Sequence, residues 1–185
     1  LPETATREEI FELLPEMRKR LEQIFSSHED PGRYDLRGVA LFGISECARS
    51  KECLSYLERK DYTGLGKLMK ISQDGDRVTG KYPMQITDDY LISCMKTEAD
   101  IALQPGAYGC SVKEIDNLCD LLDKTEGVLG SQMLGAGLGG CLEALVESDK
   151  IEAVIEKLNR EYYDANGFPH QAKAYKPGKG SSVEF

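Results

Sequence analysis

Four glycines fall within six residues, Gly135-Ala136-Gly137-Leu138-Gly139-Gly140, and this run limits the fold more than any other stretch of the chain. Glycine has no Cβ, so it enters left-handed backbone conformations freely and lets a ligand or another loop come close, at an entropic cost in regular structure. A helix or strand does not hold so many, and the run has to be a bend. Apolar stretches flank it: Val128 to Leu134 ahead, and Cys141-Leu142-Glu143-Ala144-Leu145-Val146 behind, with helix-capping residues only at Ser148-Asp149. The order is strand, bend, strand. A tight turn that only supports the sheet is the plain alternative to a ligand-facing role.

Two phosphate-binding patterns fail on the residues. Gly135, Gly137 and Gly140 spell G-x-G-x-x-G, but a dinucleotide fingerprint opens a helix directly and is followed about 20 residues later by an acidic residue closing a second strand. Here a second strand follows at once. A Walker-type loop ends in Gly-Lys-Ser/Thr, because lysine supplies the charge facing the phosphates, and Gly139-Gly140-Cys141 has no lysine.

At 185 residues the chain is long enough for one domain with a sizeable core. No apolar run approaches the roughly 20 residues that cross a bilayer, so no membrane partner is expected. The net charge of −9 and pI near 4.9 argue against a nucleic-acid partner, since that binding neutralises phosphates with Lys and Arg. An anionic ligand would need local donors. The six cysteines are scattered without a Cys-x-x-Cys and fall mostly at apolar positions, which favours reduced, buried thiols over disulfides. With two histidines, neither beside a cysteine pair, no metal site is expected. The start, Leu1-Pro2-Glu3-Thr4, has no secretory pattern, and its lack of an initiator methionine points to a chain cut from something longer.

The helical pattern begins with Thr6-x-x-Glu9, a capping box ahead of Ile10, Leu13 and Leu14. Pro15 interrupts, and a second helix presents Met17, Leu21, Ile24 and Phe25. After a polar turn over 26–33, Asp35 caps a long helix carrying Leu36, Val39, Ala40, Cys47, Leu54 and Leu57, with Gly43 as its weak point. Asp61 caps a further helix with Leu65, Leu68 and Met69 inward, expected to stop near Gly75. A helix is predicted over 88–99, another after the capping box Ser111-x-x-Glu114, and another after Asp149-x-x-Glu152 with Ile151, Val154, Ile155, Leu158 and Tyr162 inward. Alternation at Ala172 and Ala174, and at Val183 and Phe185, predicts two more strands. The sum is α+β: a ferredoxin-like plait, with a four-stranded antiparallel sheet and helices packed on one side.

The run from Gly127 to Cys141, Gly-Val-Leu-Gly-Ser-Gln-Met-Leu-Gly-Ala-Gly-Leu-Gly-Gly-Cys, resembles the third conserved motif of the galactokinase, homoserine kinase, mevalonate kinase and phosphomevalonate kinase superfamily (the GHMP kinases), and within it most resembles galactokinases. Tyr108, Ser111, Glu114 and Asp116 resemble that family's Tyr-x-x-Ser-x-x-Glu-Leu-Asp run at the matching distance. Ser45-Glu46-Cys47-Ala48-Arg49 is similar to its Ser/Gly-Glu-x-x-Arg run, although an ion pair on a helix face explains Glu46 and Arg49 equally well. The resemblance covers roughly Arg37 to Gly180. It departs at Gln73, where galactokinases carry a histidine, and at Gln132 and Leu134, where they show arginine and threonine. Residues 78–107 stand as an insertion whose role is not legible.

The resemblance implies a single C-terminal GHMP kinase domain over 1–185, with 1–34 as leading helices and the N-terminal kinase half absent. It implies a cytoplasmic enzyme transferring the γ-phosphoryl of Mg2+-ATP to a monosaccharide, galactose or a relative. The sugar-recognition motif, the serine-rich phosphate loop and the aspartate base would all lie in the missing half; no phosphate loop is found in 1–37. No catalytic residue is therefore assigned to this chain, and the fragment alone is expected to be inactive. The residues implied to face nucleotide and substrate are Gly135, Ala136, Gly137, Leu138, Gly139 and Gly140, with the backbone N–H groups of Gly137, Leu138 and Gly139 toward the cleft. A catalytically silent relative that senses sugar and nucleotide, and a free-standing plait that binds or dimerises, remain alternatives.

Overall fold

The computed structural model describes residues 1–80, 84–135, 137 and 140–178. The fold is α+β and mostly helical, and the strands among the described residues form two separate antiparallel pairs. Among the described residues no helix is long and apolar enough to cross a membrane.

The N-terminal pair joins β1 (Thr4–Ala5) to β2 (Tyr34–Asp35). Between them, α1 (Arg7–Leu13) starts on the expected capping box: the Glu9 amide donates to Thr6 Oγ1 and the Thr6 amide to Glu9 Oε2. Pro15 opens a short 3-10 turn (Pro15–Met17) that leads into α2 (Arg18–Phe25). Ala5, Ile10 and Phe25 form a small core, with Phe11 edge-on and Tyr34 stacked on the Phe25 ring. Ile24, expected on the same face as Phe25, stays exposed.

Helix α3 (Leu36–Glu58) begins where Asp35 accepts from the Gly38 amide, and α4 (Tyr62–Asp76) where Asp61 accepts from the Gly64 amide. Both caps stand where the sequence placed them, and α4 ends one residue past Gly75. Next come α5 (Asp88–Lys96), a 3-10 turn at Ile101–Leu103 and α6 (Lys113–Asp123). A hairpin follows, β3 (Val128–Leu134) with β4 (Cys141–Val146), and then α7 (Ile151–Leu158), a π turn (Asn159–Tyr163) and α8 (Asp164–Asn166). The main core lies where Leu118 and Leu122 of α6 meet Val154 and Leu158 of α7, with Val128, Leu142, Ala144 and Val146 of the hairpin against them.

The four-stranded sheet is not formed by the described residues. Residues 171–175 are not strand, and Val183 and Phe185 lie outside the described residues. The free side of β3 is taken by α4 instead: Gly66 and Gly130 touch backbone to backbone, so a Cβ on either would overlap the other's main chain. Further along, the Gln73 side chain accepts from the Met133 amide at 2.7 Å, which a neighbouring strand would otherwise do.

Two expected caps are also not made. The N-cap residue of α6 is Val112 and that of α7 is Lys150, each one residue later than the motif requires, and neither has a side-chain cap. Ser111 is engaged elsewhere, its amide donating to the Asp76 carbonyl at 2.8 Å. The cysteines are unpaired, but only Cys119 is buried; Cys47 and Cys141 are exposed.

Candidate functional site

The glycine run is flanked by the two strands of the hairpin. Its register runs from Val128 opposite Val146, through a bulge between Val128 and Gly130, to Leu134 opposite Cys141, where the bend begins. Gly135 and Gly137 have φ of +82° and +78°, the left-handed region in which an L side chain is strained. Around Gly135 there is open space, and the neighbouring Leu134 is 53% exposed. Gly137 instead rests on the Cys110 carbonyl and the Met133 sulfur, leaving no room for a side chain. The Gly140 amide turns inward to the Gly137 carbonyl at 3.1 Å. Ala136, Leu138 and Gly139, three of the six residues expected to face a ligand, lie outside the described residues.

Behind the bend stands the C-terminal turn of α4. The amides of Tyr108 and Gly109 both donate to the Gly75 carbonyl, at 2.8 and 3.1 Å, and that of Ser111 to the Asp76 carbonyl. These bonds strap the 108–111 segment to the end of the helix, and the strap places the Cys110 carbonyl under Gly137. Gln73, 1% exposed, reaches the hairpin directly through Met133. Its Nε2 donates to Oδ1 of fully buried Asp116 at 3.1 Å. The other carboxylate oxygen of Asp116 accepts from the amides of Val78 and Thr79 and from the Thr79 hydroxyl, at 2.9 to 3.1 Å.

Charge near this cluster is compensated at its edge. Burial alone would lower the Arg77 pKa, but Asp120 and Asp74 outweigh it and raise it; the ion pairs are 2.8 and 3.1 Å long. Burial pushes the Asp76 carboxyl above its usual range, against a Cys110 thiol donating to it at 3.2 Å. The same burial, with Asp76 beside it, pushes the Cys110 thiol up to about 12. The bend therefore presents main chain and shape, while the carboxylates behind it are already engaged. Among the described residues no group of three or more His, Cys, Asp or Glu could hold a metal ion.

The Tyr-x-x-Ser-x-x-Glu-Leu-Asp run is divided by the fold. Ser111 and Asp116 are buried in the cluster, whereas Tyr108 is half exposed and stacks on Phe42 with ring centres 5.2 Å apart. Glu114 is exposed. Gln132 pairs across the hairpin, donating to Glu143 at 2.9 Å. The Glu46 and Arg49 pair forms, but not on an open helix face: Arg49 is 3% exposed and also donates to the carbonyls of Ala102 and Gln104.

Gln73 entered the sequence reading only as a departure from the galactokinase histidine, with no role assigned to it. Its signal lies in the α4 pattern: the inward stripe through half-buried Leu65, buried Leu68 and half-buried Met69 continues onto buried Gln73 and Asp76, polar residues at core positions. Buried polar side chains of that kind are bonded to something specific.

The amino-acid sequence is similar to that of known kinases. The family model described as "GHMP kinases C terminal" matches residues 53–164. A galactokinase of Staphylococcus carnosus is 30% identical over 146 residues, 79% of this chain and 30% of that protein. A galactokinase of Clostridium beijerinckii is 30% identical over 129 residues, 70% of this chain and 26% of that protein. The chain thus spans under a third of the length of these relatives. The crystal structure of Lactococcus lactis galactokinase complexed with galactose aligns with a TM-score of 0.43 and 19% identity, covering 89% of this chain and 39% of that one.

Proposed function

This chain belongs to the GHMP kinases, carrying their C-terminal domain, and from that premise we propose that it is the C-terminal part of a galactokinase-like sugar kinase. In this reading residues 1–185 act as one domain, with 78–107 inserted. A further segment brings the phosphate loop, the sugar site, the catalytic base and most contacts to Mg2+ and ATP, and the assembled enzyme phosphorylates a monosaccharide hydroxyl, of galactose or a relative, in the cytoplasm.

The observation that carries the reading is the bend itself: a stretch poor in side chains, open at Gly135 and held from behind at Gly137 and Met133. Phosphoryl transfer needs positioning and charge stabilisation more than covalent chemistry, and main chain held from behind suits a wall of such a cleft. In this role the run from Gly135 to Gly140 closes the nucleotide and substrate side against the phosphate loop.

The test is ATP consumption by the full-length protein across a panel of monosaccharides. Turnover with galactose or one related sugar is the expected result. Sugar and nucleotide binding without turnover would instead support a sensor of the same family. The 185-residue chain alone is expected to turn over nothing, and sugar phosphorylation by it would overturn the division of labour proposed here.

A further inference from the structure

We infer that Gln73 is the positioning residue of the glycine bend, and that through Asp116 it ties the bend to the start of the 78–107 segment. The inference rests on the reading of the bend as a cleft wall, and its argument is geometric. Met133 lies two residues before Gly135 and opposite Leu142 of β4, and its amide points away from β4 to donate to Gln73 Oε1 at 2.7 Å. A carboxamide can present either its oxygen or its nitrogen at a given place. Here only one orientation fits: Nε2 donates to Asp116 Oδ1 at 3.1 Å, so a flip would set N–H against the Met133 N–H and oxygen against a carboxylate. In a site with Gln73 1% exposed and Asp116 fully buried, both mismatches would go unsolvated.

The second half of the link runs from Asp116 outward. Its Oδ2 gathers the amides of Val78 and Thr79 and the Thr79 hydroxyl. One carboxylate therefore fixes both the orientation of Gln73 and the first turn of the 78–107 segment. The end of α4 also holds the bend a second way, through the strap that sets the Cys110 carbonyl beneath Gly137. The strap's bonds to Gly75 and Asp76 are main-chain bonds that a change at Gln73 leaves in place; the one side-chain link to it, Gln73 Nε2 to Ser111 Oγ, is long at 3.5 Å, so the two contributions separate by mutation.

The experiment is residue-resolved amide hydrogen exchange on the 185-residue chain. Gln73→Met keeps the volume and removes the bonds to Met133 and Asp116 and the long one to Ser111. Exchange is expected to rise about tenfold or more at Met133, Gly135 and Gly140, with Val154 and Leu158 in the α6–α7 core unchanged. Gln73→His, which keeps one donor and one acceptor, is expected to restore most of the protection and serves as the test should Gln73→Met not fold. Wild-type exchange at Gly135 and Gly140 in a folded Gln73→Met chain would overturn the inference, as would equal loss of protection in the α6–α7 core. So would a folded Gln73→His chain whose bend exchanges as in an unfolded one. In the full-length kinase, Gln73→Met is expected to lower kcat about tenfold with a smaller change in KM. A full-length protein with no turnover would remove the kinase reading and leave the exchange data to decide this inference alone.

Discussion

The main-chain carbonyl of Cys110 occupies the space that a Cβ on Gly137 would need. Gly135, two residues earlier and with nearly the same φ, has nothing around it. This pair separates two costs that usually arrive together. Gly135→Ala meets only backbone strain, about 1–2 kcal/mol for an L residue in the left-handed region. Gly137→Ala meets the same strain plus overlap with a carbonyl that three bonds behind it hold in place, and overpacking typically adds about 1–3 kcal/mol. Urea unfolding of the two variants is expected to show Gly137→Ala as the less stable by at least 1 kcal/mol, a rough floor from that range. Equal midpoints would mean that the 108–111 strap yields.

A similar contrast holds between helices. Gly66 lies against the Leu129 carbonyl and Gly130, whereas Gly43 of α3 has open space around it. Gly66→Ala is expected to push α4 off β3 at a cost of about 1–3 kcal/mol. Gly43→Ala should stabilise by about 0.5–1 kcal/mol, because alanine is the better helix former and nothing obstructs it. Thermal unfolding of both variants checks opposite signs for the same substitution.

What the sequence disclosed follows the range of the interactions involved. The Thr6–Glu9 box, the Asp35 and Asp61 caps and the Pro15 break are contacts within a few residues, and all were legible. The strand, bend, strand order was also legible, since glycine and alternation are local signals. That residues 171–175 form no third strand was not. Whether β3 meets another strand or a helix is decided by Gly66 and Gln73, more than fifty residues upstream, and no periodicity in 128–146 records them. The caps at Ser111 and Asp149 failed for a related reason: Ser111 is held by Asp76 from another element, and both helices start one residue late.

Arg49 illustrates a motif residue that was placed correctly and valued wrongly. On an open face its pair with Glu46 would contribute a few tenths of a kcal/mol. Buried, the guanidinium also donates to two carbonyls of the 101–104 turn, and hydrogen bonds to charged groups are worth about 1.5–3 kcal/mol each. Arg49→Ala is expected to destabilise by about 2–4 kcal/mol, leaving those carbonyls unpaired, and to expose the 98–104 segment to protease. Arg49→Lys should recover less than half, because an ammonium cannot span three acceptors in a plane. Limited proteolysis with mapped cleavage sites tests both.

Asp76 gives the pH dependence its sign. Burial, the largest influence, raises its pKa in the folded chain, and the thiol bond from Cys110 only partly opposes this. The folded state therefore binds the proton more tightly than the unfolded one. The resulting stabilisation is complete below the unfolded value of 3.8 and fades as pH rises through the folded value. Asp76→Asn removes the titration while leaving an oxygen for Cys110. Unfolding free energies measured from pH 4 to 7 are expected to show the variant gaining on the wild type as pH increases. A constant difference would mean that Asp76 does not titrate in this window.

Thiol chemistry should sort the cysteines by surroundings. The thiolate is the reactive form, with an ordinary pKa of about 8.5. Burial lifts Cys119 to about 11, and burial with Asp76 alongside lifts Cys110 to about 12. At pH 8 their thiolate fractions are about a hundredfold or more below that of an ordinary thiol, and Cys119 is also inaccessible. Cys47 and Cys141 are exposed. Iodoacetamide labelling followed by peptide mass spectrometry is expected to modify Cys47 and Cys141 first and Cys110 and Cys119 last. Because Cys110 carries the strap beneath Gly137, Gln73→Met should leave its slow labelling unchanged while Asp76→Asn should speed it. Early labelling of Cys110 in the wild type would mean that the strap opens on the timescale of the reaction, and the bend would then lack its support at Gly137.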